Sequence, residues 1–513
     1  MKKQSLIKGS LILGIAGIIT RFLGLFFRWP LIMLIGDEGV GYYQMSYPLY
    51  MFFVAIASGM PVAISKIISE NNVMSDVESN FVVIKEGTIL MSILGIGTSA
   101  ILFFFSNEII RILQWDNKAY YSLVGISLAP CIISFLTVLR GFFQGYQNMT
   151  PSGISQIIEQ IGRIIFGVGL AVILLPKGIE YSAGGAAFGA AGGGLLALIY
   201  LYFKYYNVKR TLGVKKVKTD SNVLNKILMI AIPISLGASV GTIMNLIDSI
   251  LVPKELLESG FSSQDATILY AQLTGKASVI VNIPLTLSMA LCTSLIPIIA
   301  EVYILKRKKE LEEKVNLIIK VSSVIAMPCF LGLFFMAAPI MKFIFPGRFE
   351  GVEILKYLSI SIPFIIITQI TTSILQGVGK YMIPIFNLLI GCIVKVIITS
   401  SLVSNTRFNI YGAVIATISA YIVVSLLNII FVKVKLNVKM NFYNNFIKPA
   451  YAACIMMIAV VVLYNFIYRN TSSNSISCLL SISIGVIIYF MGILIFRVFS
   501  IEEVKSKFQR KNN

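Results

Sequence analysis

The chain has 513 residues, 57% of them apolar and 13% charged, with a mean hydropathy of +0.85; a soluble globular protein is excluded and an integral membrane protein is expected. Lys and Arg number 43 against 23 Asp and Glu, a formal charge of +20, and histidine is absent, which excludes Ser-His-Asp triads, zincin motifs and His relays. In a membrane chain such a positive excess reads as cytoplasmic loops rather than as nucleic-acid binding.

The N-terminus is basic and then apolar, like a signal peptide. The apolar stretch at 6–35 is too long for one and has no small-residue cleavage site, so it reads as a retained first helix. Spans of roughly 20 apolar residues follow near 43–69, 81–105, 119–144, 154–175 and 183–204. After a basic stretch they resume near 224–252, 272–302, 316–336, 351–375, 384–403 and 411–432, and two more lie near 447–468 and 476–498. The fold class is therefore all-α and polytopic, with fourteen transmembrane helices. The domain reading is an N-lobe at 1–204, a basic cytoplasmic linker at 205–223, a C-lobe at 224–433, helices 13 and 14 within 434–498, and a cytoplasmic tail at 499–513. The isolated cysteines Cys131, Cys292, Cys329, Cys392, Cys454 and Cys478 have no metal or redox spacing and read as core residues.

With the N-terminus inside, 29 basic residues fall in inner segments and 9 in outer ones. That bias places both termini in the cytoplasm. Five cations remain inside spans: Arg21, Arg28, Arg163, Lys276 and Lys395.

An internal repeat is expected. Pro48 and Pro61 match Pro284 and Pro297 at a shift of 236, and Gln144-Gly145 matches Gln376-Gly377 at a shift of 232, which also brings Arg163 onto Lys395. A repeat of six helices preserves topology, so the lobes should be related by a pseudo-twofold axis along the membrane normal. The four prolines are candidate hinges, since each removes a backbone donor and bends its helix. The many glycines between 184 and 194 read as close helix packing.

In the first helix Ser10, Gly14, Gly17, Arg21, Gly24 and Arg28 alternate in steps of four and three, which puts them on one small, cationic face. An Arg at mid-membrane costs about 2.5–3.5 kcal/mol, so the five intramembrane cations must be paired or lie in water. Glu159 and Arg163 stand four apart, as a structural clamp or as a functional pair. Asp248, near Asn245 and Ser249, either binds a coupling cation or partners a cation of the other lobe. Acids are too few to pair every cation, so a wet cationic cavity between the lobes is expected, suited to an anion; Arg binds phosphate oxygens bidentately. The substrate-binding candidates are thus Arg21, Arg28, Lys276, Lys395 and Arg163, the two lysines being equally open to a structural role. No Walker-type loop is present, and Asp37-Glu38 reads more simply as a polar loop than as a catalytic pair.

The stretch Thr20–Glu70, with TRFLGLFFRWPLIMLIGDEGVGYYQMSYPLY and PVAISKIISE, together with QGYQNMTPSGISQIIEQIGR at 144–163, resembles the stage V sporulation protein B and polysaccharide-transporter branch of the multidrug/oligosaccharidyl-lipid/polysaccharide flippase superfamily, a branch related to bacterial lipid II flippases. The resemblance implies two six-helix lobes around a cationic cavity, and a groove along helices 13 and 14 for a polyprenyl tail. It implies a lipid-linked sugar pyrophosphate as substrate, with Arg21 and Arg28 as its arginines and the functional acid after the first helix at Asp37 or Glu38. A helix-8 arginine of the lipid II flippases falls on Val279 here, with Lys276 one turn away.

The expected function is a flippase that moves a polyprenyl-pyrophosphate-linked sugar from the inner to the outer leaflet by alternating access. It would act as a monomer, without nucleic acid, metal or cofactor. The drive is a coupling cation (Na+ or H+) or the membrane potential, with Asp248, Asn245, Glu159, Asp37 and Glu38 as ion-coupling or ion-pair candidates. A drug/cation antiporter of the same superfamily and an enzyme acting on polyprenyl phosphates are the alternatives.

Overall fold

The computed structural model describes residue 4, residues 6–212 and residues 219–499. Lys2, Lys3, Lys215, Lys216, Lys218 and the basic residues of the tail, which entered the orientation argument, lie outside these residues. Among the described residues the chain is helical without strands, and it packs as two units, Met1–Ala271 and Gln272–Asn513. This division falls later in the chain than the basic stretch at 205–223.

In the first unit α1 covers Leu6–Ala57 and α2 Gly59–Val73. Then come α3 (Val77–Phe104), α4 (Ser106–Leu113), α5 (Tyr120–Ser127), α6 (Ala129–Gly145), α7 (Thr150–Leu174), α8 (Ile179–Leu212), α9 (Ser221–Glu258) and α10 (Ser263–Ala271). The second unit begins with one π-helical turn at 272–277. It continues with α11 (Ser278–Ile304), α12 (Lys308–Phe335), α13 (Ala337–Ile344), α14 (Val352–Leu358), α15 (Ser361–Gly377), α16 (Met382–Leu402), α17 (Ile410–Leu436), α18 (Lys448–Thr471) and α19 (Asn474–Ile495).

Eleven of the described helices or helical runs are long and apolar enough to cross a membrane, or twelve if α14 and α15, bent by 42°, form one span. The first run, Leu11–Val73, counts once although it holds two of the expected spans. Gly36, at φ 67°, breaks it, a conformation that glycine adopts without steric cost. The chain reverses there. Phe27 and Tyr43 have ring centroids 5.8 Å apart, whereas 16 residues of straight helix would hold them about 24 Å apart.

The expected polar loop at Asp37-Glu38 is corrected by this turn. Gly36 alone reverses the chain, and both acids lie on the first turn of the returning helix, where carboxylates suit the positive end of the helix dipole. Glu38 accepts from Tyr42 Oη at 2.7 Å, Gln264 Nε2 at 2.9 Å and Lys118 Nζ at 3.4 Å. It fastens the turn to α10 and to the segment before α5.

At three prolines or breaks in the first unit a neighbour satisfies the backbone groups left over. Pro48 has no N–H for the Gln44 carbonyl, and Tyr270 Oη donates to that oxygen at 3.3 Å. Between α1 and α2 the helix breaks at Ser58, ahead of Pro61. There Ser235 of α9 accepts from Gly59 N–H at 3.3 Å and donates to the Ile56 carbonyl at 2.5 Å. Between α5 and α6, ahead of Pro130, Ser99 Oγ accepts from Cys131 N–H at 3.0 Å.

The glycines of α8 let it close onto α7. A Cβ on Gly193 would strike the Glu159 carbonyl, and one on Gly189 would lie 2.9 Å from the Arg163 carbonyl. This is the close packing expected for the glycines between 184 and 194, and it sets the height of Glu159 and Arg163 in the unit.

Element lengths recur along the chain. α3 and α12 are both 28 residues and start 231 apart; α4 and α13 are both 8 residues at the same spacing. α6 and α15 are both 17 residues and start 232 apart, as do α7 and α16. α18 and α19 have no counterpart in the first unit. They pack on α12 through Ala452, Met456, Val460 and Tyr489, whose hydroxyl donates to the Val324 carbonyl at 2.8 Å.

Candidate functional site

The turn at Gly36 also brings Arg28 onto the returning half of α1, with its guanidinium carbon 5.9 Å from the Tyr47 ring centroid. Tyr43, Tyr47 and Tyr50 recur at steps of four and three, so they share one helical face. Tyr43 and Tyr47 stack at 5.3 Å, and Tyr47 and Tyr50 lie 5.9 Å apart.

Arg163 of α7 meets this ladder. It is only 7% exposed. Its guanidinium donates to Tyr47 Oη at 3.2 Å and Tyr50 Oη at 3.4 Å, and lies 5.8 Å from each ring centroid. Its Nε is buried without a hydrogen-bond partner. One turn earlier on α7, Glu159 places one carboxylate oxygen 3.9 Å from Arg163 and the other 2.9 Å from Arg140 Nη2. Arg140 of α6 also donates from Nε to Ser155 Oγ at 2.9 Å.

Two guanidiniums, Arg140 and Arg163, therefore share one carboxylate beside an aromatic ladder that Arg28 also joins, all within helices long and apolar enough to span a membrane. Such a grouping supplies charge-assisted donors to an anion and flat faces to a ring.

Of the residues singled out in the sequence, Arg28, Arg163 and Glu159 come together here. Arg21 is exposed. A Cβ added at Gly14, Gly17 or Gly24 would meet no atom within 4 Å, so the small, cationic face of the first helix lies open; the side chain of Ser10 is outside the described residues. Asp248 is buried at 8% exposure on α9, Asn245 is exposed one turn before it, and Asp37 is half-buried.

Lys276 and Lys395 belong to the second unit. Lys276, fully buried in the π-helical turn, donates to the Arg348 carbonyl at 2.8 Å and to Glu350 Oε2 at 3.2 Å, which fastens the loop before α14. Burial alone would raise the Glu350 pKa. Its own amide and the Lys276 ammonium outweigh that and hold it below the usual carboxylate range. Lys395 is buried at 2% exposure in α16. Among the hinge candidates Pro48 lies inside α1 and Pro61 in α2, while Pro284 and Pro297 lie in α11.

Sequence reasoning missed Arg140 and the tyrosines as site members. The signal for the tyrosines was present in their helical spacing within YYQMSYPLY. Arg140, near the end of its span, reads in the sequence as one of the flanking basic residues.

The model of the family described as polysaccharide biosynthesis protein matches residues 6–303, and the MatE model matches residues 274–400. Stage V sporulation protein B of Bacillus subtilis (strain 168) is 27% identical over 523 residues, covering 98% of each chain. The lipid II flippase MurJ of the same organism is 27% identical over 456 residues, covering 84% of this chain and 83% of its own. Among solved structures, a lipid II flippase MurJ in an inward closed conformation superposes with a TM-score of 0.74 at 16% identity, over 95% of this chain and 99% of that one. An inward-facing multidrug resistance MATE transporter does so at 0.69 and 15%, over 81% and 94%. The apolar helices and these likenesses make this a multi-pass membrane protein with the fold of that superfamily. With more than half of its length matched, the chain belongs to the polysaccharide biosynthesis protein family of the multidrug/oligosaccharidyl-lipid/polysaccharide flippase superfamily.

Proposed function

We propose that this protein is a flippase that carries a polyprenyl-pyrophosphate-linked sugar from the inner to the outer leaflet of a bacterial cell membrane by alternating access. It acts as a transporter rather than an enzyme. The observation that carries the reading is the cluster in which Arg140 and Arg163 share Glu159 while Arg28 and Arg163 both lie against Tyr47. Buried or half-buried guanidiniums in excess of carboxylates are expensive in a bilayer, and an anionic substrate repays that cost by taking their donors. The flippase relatives support the same substrate class.

In this reading the chain has fourteen spans with both termini in the cytoplasm, in keeping with the 29-to-9 distribution of basic residues. The recurring element lengths support two six-helix lobes in a parallel repeat. Arg21 and Arg28 on the open face of the first helix hold the pyrophosphate, Pro48, Pro61, Pro284 and Pro297 supply the bends, and the tail stays in lipid along α18 and α19. Membrane potential is worth about 2.3 kcal/mol per charge per 100 mV, enough to bias a cycle that moves charge; buried Asp248 is the first choice for a coupling-cation site.

The test is translocation of a fluorescent lipid-linked sugar in reconstituted vesicles, with a competing panel of lipid-linked saccharides. Arg21→Ala and Arg28→Ala should each lower the rate; wild-type rates in both would sink the assignment of those two residues. A second reading, a drug/cation antiporter, has the MatE match in its favour. Transport of cationic dyes that is abolished by Asp248→Asn would establish it instead.

A further inference from the structure

We infer that Glu159 is a built-in stand-in for the substrate's anion, and that Arg163 is the arginine it holds in reserve. The inference rests on the flippase reading and adds to it which arginine changes partner when an anion binds.

The two contacts of the carboxylate are unequal. Arg140 holds one oxygen at 2.9 Å and is itself fixed by Ser155, whereas Arg163 stands 3.9 Å from the other oxygen. The first is a close charge-assisted hydrogen bond and the second a loose ion pair without hydrogen-bond geometry. Arg163 has further capacity to spare. A guanidinium carries five N–H donors; two of those of Arg163 go to neutral tyrosine hydroxyls at 3.2 and 3.4 Å, and its Nε is buried without a partner. A buried charged donor left unsatisfied is costly.

An incoming phosphate oxygen would therefore find Arg140 committed and Arg163 available. Arg28 and Arg163 flank Tyr47 at nearly the same distance, 5.9 and 5.8 Å from its ring centroid, so an anion taken by Arg163 is also within the field of Arg28. On binding, Arg163 leaves Glu159 for the ligand while Glu159 stays neutralised by Arg140, and no carboxylate is left bare. Without a ligand, Glu159 lowers the cost of keeping Arg163 inside the bilayer. Glu159 is thus a competitor of the substrate as well as a structural partner.

The experiment measures binding of farnesyl diphosphate to the purified full-length protein in nanodiscs, with farnesol as the uncharged control. The wild type should prefer the diphosphate; absence of that preference would overturn the flippase reading itself, and this inference with it. Given that preference, Glu159→Gln should tighten diphosphate binding about three- to tenfold without changing farnesol binding. The gain should vanish in the double variant with Arg163→Gln and persist with Tyr50→Phe. Unchanged or weaker diphosphate binding in a folded Glu159→Gln protein would overturn the inference alone. Should that variant not fold, Glu159→Asp withdraws the carboxylate further from Arg163 and should tighten binding in the same direction, with no tightening counting against the inference.

Discussion

Arg163 and Lys395 occupy the same position in matching helices. Each is the fourteenth residue of its helix, α7 from Thr150 and α16 from Met382, and each is buried, at 7% and 2% exposure. The surroundings differ by residue type. One turn before Arg163 stands Glu159, whereas one turn before Lys395 stands Gly391; 232 residues after Arg140 stands Thr372, whose Oγ accepts from Asn428 at 3.2 Å. Both helices carry a buried cation at their fourteenth residue, and of the two only α7 has a carboxylate one turn earlier.

Replacing Arg140 with Ala should destabilise the protein by about 3 kcal/mol or more, because it leaves a mostly buried carboxylate without its close partner. Thermal unfolding in detergent would report this as a lowered midpoint. Glu159→Gln in the same background should recover part of the loss; no recovery would mean that the ion pair is not what Arg140 contributes.

Two glycines should respond oppositely to alanine. Gly193→Ala drives a methyl into the Glu159 carbonyl and to within 2.6 Å of the Arg163 nitrogen, so it should cost about 1–3 kcal/mol and disturb transport through both residues. Gly169→Ala, in the same helix pair but with nothing within 4 Å, should be neutral or gain up to about 1 kcal/mol in helix propensity. Expression level and unfolding midpoint of the two variants provide the comparison.

The Lys276–Glu350 tie should weaken in acid. Glu350 has a pKa held below the usual carboxylate range in the folded protein, so its contribution is fully present above the unfolded value of about 4.3 and is lost as pH falls through the lower, folded value. Hydrogen exchange of the amides at 345–351 should therefore be slow at neutral pH and speed up at low pH beyond the intrinsic pH effect. Glu350→Gln should abolish that extra dependence. More than half of the Glu350 side chain is in contact with solvent, which keeps the effect local and modest.

Ser235→Ala should cost about 1–3 kcal/mol, since the Gly59 N–H and the Ile56 carbonyl both lose their partner. Ser235→Thr keeps the hydroxyl and tests whether the loss is polar or steric. Equal stability of Ser235→Ala and wild type would show that water or a rearranged backbone satisfies the break.

The membrane class and most spans were legible because hydropathy is a local signal, and the 232-residue recurrence of α6 as α15 was legible in the match of Gln144-Gly145 with Gln376-Gly377. Arg163 and Glu159 were legible as a pair for the same reason, four residues apart on one helix. The role of Tyr47 was not, because it depends on Arg28, 19 residues earlier, arriving beside it through the turn at Gly36. Nor was the role of Arg140, whose partner lies on the next helix. Asp37-Glu38 looked like a loop because charge and glycine together usually mark one; here a single glycine makes the turn and the acids start the next helix. Lys276 was legible as a cation inside a span, but not its partners, which a π-helical turn and a loop 72 residues later supply.

Ser235 of α9 bridges the break between α1 and α2. Its hydroxyl completes the broken backbone on both sides at once, so straightening that break and withdrawing α9 are a single event rather than two. Any ligand that makes α9 slide must also change the bend beside Pro61, and any ligand that changes the bend must move α9. Two hydrogen bonds of one hydroxyl link the two movements, so amide exchange at Gly59 should report each opening of this break.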